Sequence, residues 1–252
     1  MKGTIRKGML VLLGSLALAV SALATTAATA HDSEIQSAVT RRLEDKKELR
    51  GVHVAVEQGI VTLSGSVASY PDKADAAKRA RKVEHVAGVR NLVEVDGPAV
   101  ADADLKAKLA RELAYDRALR GSVFNVLTVG VQDGVVTVGG EVRSPVDKDS
   151  ALGLVAHTRG VTDVIDNIKV APASIYDDQL RRRLALLIYG DSSLSRYGMD
   201  PQAPIRIVVD NGHVSLYGVV DSQMDKTIAG LRARSAFGAF SVENNLEVVR
   251  SR

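Results

Sequence analysis

The chain has 252 residues, with 33 lysines and arginines against 30 acidic residues, five histidines and no cysteine; its fold therefore holds no disulfide. The three surplus positive charges are Lys2, Arg6 and Lys7, which leaves 30 residues of each sign after them. A neutral body with no tryptophan and three phenylalanines lacks the electrostatic footprint and the stacking aromatics of a nucleic-acid binder, and that class is excluded.

Residues 1–30 read as a secretory signal peptide. A basic start precedes an apolar run from Met9 to Val20 and a small-residue stretch ending Ala28-Thr29-Ala30, the order that signal peptidases recognise. The run is too short to span a bilayer. Cleavage after Ala30 makes His31 the first mature residue; Ala22-Leu23-Ala24 is a second site, which gives Thr25. With no cysteine to carry lipid, the expected product is a periplasmic protein and not a lipoprotein.

Three copies of one pattern follow, anchored on Gly65 in VTLSGSV, Gly140 in VTVGGEV and Gly218 in VSLYGVV. Each copy opens with a helix signalled by Asp32, Asp102 or Asp177. Its apolar stripe runs through Ile35, Val39 and Leu43, through Leu105, Leu109 and Leu113, or through Leu180, Leu184 and Ile188. Alternating strands then flank the pairs Gln58-Gly59, Asp133-Gly134 and Asn211-Gly212, residue types that accept positive φ in two-residue hairpin turns. The anchor glycines share the apolar face of the second strand with Val61, Leu63 and Val67 and their counterparts, where a missing side chain is expected to let a helix lie close.

A capping box follows at Ser69-x-x-Asp72, Ser144-x-x-Asp147 and Ser222-x-x-Asp225 and starts a second helix. That helix is expected to end near Gly88, Gly160 and Gly238 in a left-handed cap, and a last apolar strand closes each copy. Helix, strand, strand, helix, strand gives an α+β fold of three tandem αββαβ two-layer sandwiches. The expected domains are residues 31–97, 98–171 and 172–252, after the signal at 1–30. Domains this small are marginal alone, and the short links around Gly97-Pro98 and Ala171-Pro172 favour packing between copies.

The opening Asp with its stripe, the turn glycine followed by V-T-L-S-G, the pairs Asp72-Lys73, Asp147-Lys148 and Asp225-Lys226, and the closing Gly-Val resemble the BON domain in three consecutive copies. The third copy departs most, with Gly238-Ala239-Phe240 and an insertion from Gly190 to Pro204. The resemblance implies an exported bacterial envelope module associated with osmotic stress, proposed to bind phospholipid, with a chaperone or scaffold for envelope proteins as the alternative. It brings no catalytic motif, cofactor or small-molecule substrate.

The residues themselves carry little chemistry. There is no G-x-S-x-G, G-x-x-x-x-G-K or G-x-G-x-x-G, and no H-x-x-x-H, so neither an enzyme nor a metal site is expected. His85 and His157 read as histidines near helix C-termini, where their charged form meets the dipole favourably. Asp163 with Asp166, and Asp102 with Asp104, lack the loop of a calcium site and read as caps or solvated acids. Two basic surfaces remain as candidate lipid contacts. One is Lys78, Arg79, Arg81 and Lys82 on a second helix; the other is Arg181, Arg182 and Arg183 on a first helix, with Tyr189 expected to point outward beside them.

Overall fold

The computed structural model describes residues 31–115, 123–199 and 204–249, the side chain of residue 115 excepted; residues 1–30, which read as a signal peptide, lie outside them. They form two compact units, one ending at Asp96 and the other beginning at Gly97. The first unit contains α1 (residues 31–44), a 3-10 turn at Lys47–Leu49, β1 (Val52–Glu57), β2 (Ile60–Val67), α2 (Tyr70–Arg81), β3 (Gly88–Asn91) and β4 (Glu94–Val95). The second contains two further copies. One is α3 (Asp102–Tyr115), β5 (Val126–Gln132), β6 (Val135–Val142), α4 (Pro145–Ala156) and β7 (Asp163–Val170). The other is α5 (Ile175–Tyr189), α6 (Ser195–Met199), β8 (Ile205–Asp210), β9 (His213–Val220), α7 (Gln223–Arg234) and β10 (Ser241–Val248).

In every copy the second strand is central. It pairs antiparallel with the first, as in Val54↔Leu63, Val129↔Val138 and Ile207↔Leu216, and parallel with the last, as in Val61↔Val89, Val136↔Val164 and Val214↔Val242. The parallel pairing needs a crossover, which the second helix provides. Ile35, Val39 and Leu43 from α1 and Ala76, Ala77 and Ala80 from α2 are buried together with Val61, Leu63 and Val67. Leu180, Leu184 and Ile188, Ala229 and Ala233, and Val214, Leu216 and Val220 repeat the arrangement in the third copy. Both helices therefore cover one face of each sheet, and the α+β, αββαβ expectation is met three times. Each fully buried Leu or Ile of the stripes contributes about 1.5–3 kcal/mol. Within the second unit its two copies meet where Ile207 donates its N–H to the Val123 carbonyl at 2.7 Å and Arg143 lies 3.4 Å from Asp178.

The hairpin turns form as the sequence requires: Asn211 and Gly212 have φ of 49° and 78°, and the other two pairs match them. What the sequence did not reveal is how these turns are held. The carboxylate of Asp32 accepts the N–H groups of Gln58 and Gly59, both at 2.8 Å. Asp102 accepts those of Asp133 and Gly134 at 2.7 and 3.0 Å, and Asp177 those of Asn211 and Gly212 at 3.0 and 2.9 Å. The aspartate read as a helix-start signal thus clamps the hairpin turn to the first helix in all three copies. The α5 cap is Ser174, whose hydroxyl accepts from the Asp177 N–H.

The anchor glycines also differ from expectation in their reason. Gly65, Gly140 and Gly218 have φ of 101°, 107° and 118°. A Cβ on them would lie 2.2, 2.0 and 1.6 Å from the carbonyl oxygens of Gly51, Val126 and Pro204. The close approach is to the backbone leading into the first strand of the hairpin, not to the covering helix. Gly59, Gly134 and Gly212 keep their turn role. A second correction concerns the end of α2: its left-handed residue is His85, at φ 65°, where the later copies have Gly160 and Gly238, both at φ 97°.

All three serines stand at the N-cap, but only Ser144 and Ser222 accept the N–H of Asp147 and Asp225, while Ser69 makes no such bond. Ser69, Ser144 and Ser222 donate their hydroxyls to Asp72, Asp147 and Asp225 at 2.6, 3.0 and 2.7 Å. In the third copy the described part of the insertion buries Leu194 and Tyr197. Tyr197 donates its O–H to Asp225 at 2.9 Å, and Arg196 reaches the same oxygen at 2.6 Å. Burial pushes the Asp225 carboxyl up, but Ser222, Tyr197 and the Arg196 charge outweigh it and hold the pKa below the usual range. A lowered carboxyl stabilises the fold above its unfolded pKa and loses that contribution as pH falls through the folded value. Between about pH 5 and pH 3 the urea midpoint of the protein is therefore expected to fall further than that of Asp225→Asn.

Candidate membrane-contact surface

On α2, Lys78, Arg81 and Lys82 are exposed as expected. Arg79 is not free: it donates to Asp75 at 2.8 Å and to the Arg42 carbonyl at 3.3 Å. Burial would raise the Asp75 carboxyl, yet hydrogen bonds from Arg79 and Lys46 prevail and keep it lowered. This face is three cations bordering a compensated ion-pair cluster.

The α5 surface needs a larger correction. Arg181 is 4% exposed and donates to the Val209 carbonyl at 2.5 Å and to Asp178 at 3.0 Å. Its position flanks the stripe residues Leu180 and Leu184, which draws the side chain under the helix; there a buried guanidinium needs both partners. Arg183 donates to the Phe237 carbonyl and lies over that ring, 5.7 Å from its centroid. Tyr189 is half-buried against the core and donates its O–H to the Ile205 carbonyl, so it does not point outward. Of the four residues only Arg182 is exposed.

A different surface emerges at the hairpin-turn end of the third copy. Tyr176, Phe237 and Phe240 are 84%, 85% and 80% exposed, and Ile175 beside them is 75% exposed. The three rings and Arg183 line a cleft of about 520 Å³ that reaches Asn211 and Gly212. Backbone geometry fixes the place of each aromatic. Tyr176 sits in the first turn of α5, directly before the clamp Asp177, and Phe237 directly precedes the left-handed Gly238. Phe240 donates its N–H to the turn carbonyl of Gly212 at 2.8 Å.

The same backbone positions exist in the other copies with different side chains. Ala87 and Thr162 make the hydrogen bond of Phe240, to Gly59 and Gly134, both at 2.9 Å. Glu84 and Arg159 stand where Phe237 does, and His31 and Ala101 where Tyr176 does. Two of the three phenylalanines in the chain therefore gather, with a tyrosine, on one exposed rim. The departure at Gly238-Ala239-Phe240 was the visible sign. Recognising the rim required aligning all three copies on the clamp aspartate and the turn glycine together.

Exposed aromatics beside arginine suit a boundary between water and hydrocarbon, where one part of each group is apolar and another stays wet. An apolar rim of this kind is a candidate contact surface. Among the described side chains no three His, Cys, Asp or Glu gather as a metal site, and no described helix is long and apolar enough to cross a membrane. Asp166 is committed to Lys148 at 2.7 Å and to the Ile168 N–H at 3.0 Å. His157 closes α4 with Nδ1 2.8 Å from the Gly153 carbonyl.

The model of the BON domain matches residues 31–97, 101–172 and 191–250. The chain is also similar to Osmotically-inducible protein Y of Escherichia coli (strain K12), 29% identical over 152 residues that span 55% of this chain and 72% of that protein. Two solved structures of CdsD, a structural protein of the Type III secretion system of Chlamydia trachomatis, align with 85% and 87% of this chain and 96% and 94% of theirs. Their identities are 13% and 15% and their TM-scores 0.26 and 0.25, superpositions too loose to carry a conclusion.

Proposed function

The chain belongs to the BON domain family, and from that premise we propose that it is a non-catalytic periplasmic protein of osmotic stress that engages phospholipid surfaces through the turn end of its third domain. The carrying observation is the rim of Tyr176, Phe237 and Phe240 around Arg183, present in one copy of three. Similarity to an osmotically inducible protein supports the stress role, and the signal-like first thirty residues support export.

Magnitudes keep the binding weak. Each cation near an anionic surface contributes about 1 kcal/mol, so Arg182 and Arg183 of the third domain supply at most about 2 kcal/mol, an affinity in the tens of millimolar. Partial burial of three rings at about 1 kcal/mol each, well below the value for full burial, improves that about 100-fold. The test is sedimentation of the mature protein with phosphatidylglycerol and with phosphatidylcholine vesicles. Binding is expected to anionic vesicles and to weaken with salt, because exposed charges are screened beyond about 8 Å at physiological ionic strength.

The triple change Tyr176→Ser, Phe237→Ser, Phe240→Ser is expected to lower binding about 100-fold, and Arg182→Glu or Lys78→Glu with Lys82→Glu less. Arg181→Glu is uninformative because that side chain is buried. Binding that survives the triple change, or none at low salt, overturns the reading. Loss of aggregation suppression for an unfolded client in the triple variant, without any vesicle binding, favours the chaperone alternative.

A further inference from the structure

We propose that the first domain carries a copper-type metal site, assembled from the mature N-terminus and His85. It rests on export with cleavage after Ala30. The rings of His31 and His85 lie with centroids 4.6 Å apart, tilted by 58°. Bonds of about 2 Å to a ring nitrogen place two imidazoles that share one ion with centroids about 4.5–6 Å apart, and the observed spacing falls in that range. The two side chains are 47% and 58% exposed and can turn their nitrogens toward a common point. Glu34 and Glu84 lie 3.7 and 3.8 Å from the rings and add negative charge that favours a cation.

Both histidines are peculiar to this copy. His31 stands where the others have Ala101 and Tyr176, and His85 holds a left-handed φ of 65° where the others have glycine. Histidine is among the few side chains that tolerate that conformation, and its place there sets the ring against that of a second histidine.

Described side chains alone supply two donors, because no three gather. Cleavage supplies the third. Once Ala30 is removed, the α-amine of His31 and its own Nδ1 can close a six-membered chelate ring, and His85 completes a set of three neutral nitrogens. Such a set favours Cu(II) over the other divalent first-row ions. Before cleavage that nitrogen is an amide, so the site comes into being only in the processed protein.

The experiment uses mature protein purified from the envelope, its intact mass, and Cu(II) titration followed by electron paramagnetic resonance. Expected are a mass beginning at His31 and one copper per chain with nitrogen hyperfine structure. His85→Gly, which restores the residue of the other copies, is expected to weaken binding at least about tenfold, and one extra alanine before His31 at least about 100-fold. Circular dichroism checks that both variants fold. An exported protein beginning at Thr25 overturns the site while leaving export intact, and binding indifferent to either change overturns it as well.

Discussion

Gly140→Ala is expected to lower the unfolding free energy of the second domain by about 2–4 kcal/mol, read as a fall in the urea midpoint. Gly140 holds φ 107°, and its Cβ would stand 2.0 Å from the Val126 carbonyl oxygen. The neighbour is backbone, so it cannot swing aside, and the new methyl forces either the φ or the hairpin pairing of Leu127 with Gly140 to give way. Alanine suffices; no bulk is needed. Trimming the helix above, as in Val155→Ala, is expected to add its own cavity penalty and to rescue nothing. If the alanine variant were unaffected and only larger residues destabilised, clearance of the helix would be the role of this glycine after all.

Asp177→Ala is expected to cost about 2–4 kcal/mol, because it strands the N–H groups of Asn211 and Gly212 that now share a buried carboxylate. Asp177 is 4% exposed, whereas Asp32 and Asp102 are half-buried, so water replaces them more readily and their alanine variants should lose less. Asp177→Asn is the sharper probe: its single oxygen serves one N–H well, and an intermediate loss is expected. Equal, small losses for all three alanine variants in urea unfolding would mean that the clamp adds nothing beyond an ordinary helix start.

These two cases show what was legible in the sequence. The stripe Leu180-Leu184-Ile188 and the alternation around Asn211-Gly212 each have a period that only one element satisfies, so helices, hairpins and their order could be read directly. Gly140 announced that a side chain was unwelcome without saying what it would strike, since the Val126 oxygen comes near it only through strand pairing. Asp177 looked like a cap because local spacing shows the residues next in the chain and hides a partner 34 positions away at Asn211. The basic surface expected on α5 failed for a related reason. Helical angle alone cannot tell that Arg181, bordering the stripe, is drawn under it by Asp178 and the Val209 carbonyl, nor that Tyr189 finds the Ile205 carbonyl.

The turn end joins two properties that most surfaces keep apart. Its backbone is fixed, by the aspartate clamp and by the hydrogen bond from Ala87, Thr162 or Phe240 to the turn glycine, while its side chains take no part in the cores of the copies. Histidine, alanine and tyrosine follow one another at a single address, as do glutamate, arginine and phenylalanine. A copy can thus change its trade without relearning how to fold, and duplication gave this chain three frames on which separate tasks could be tried at once.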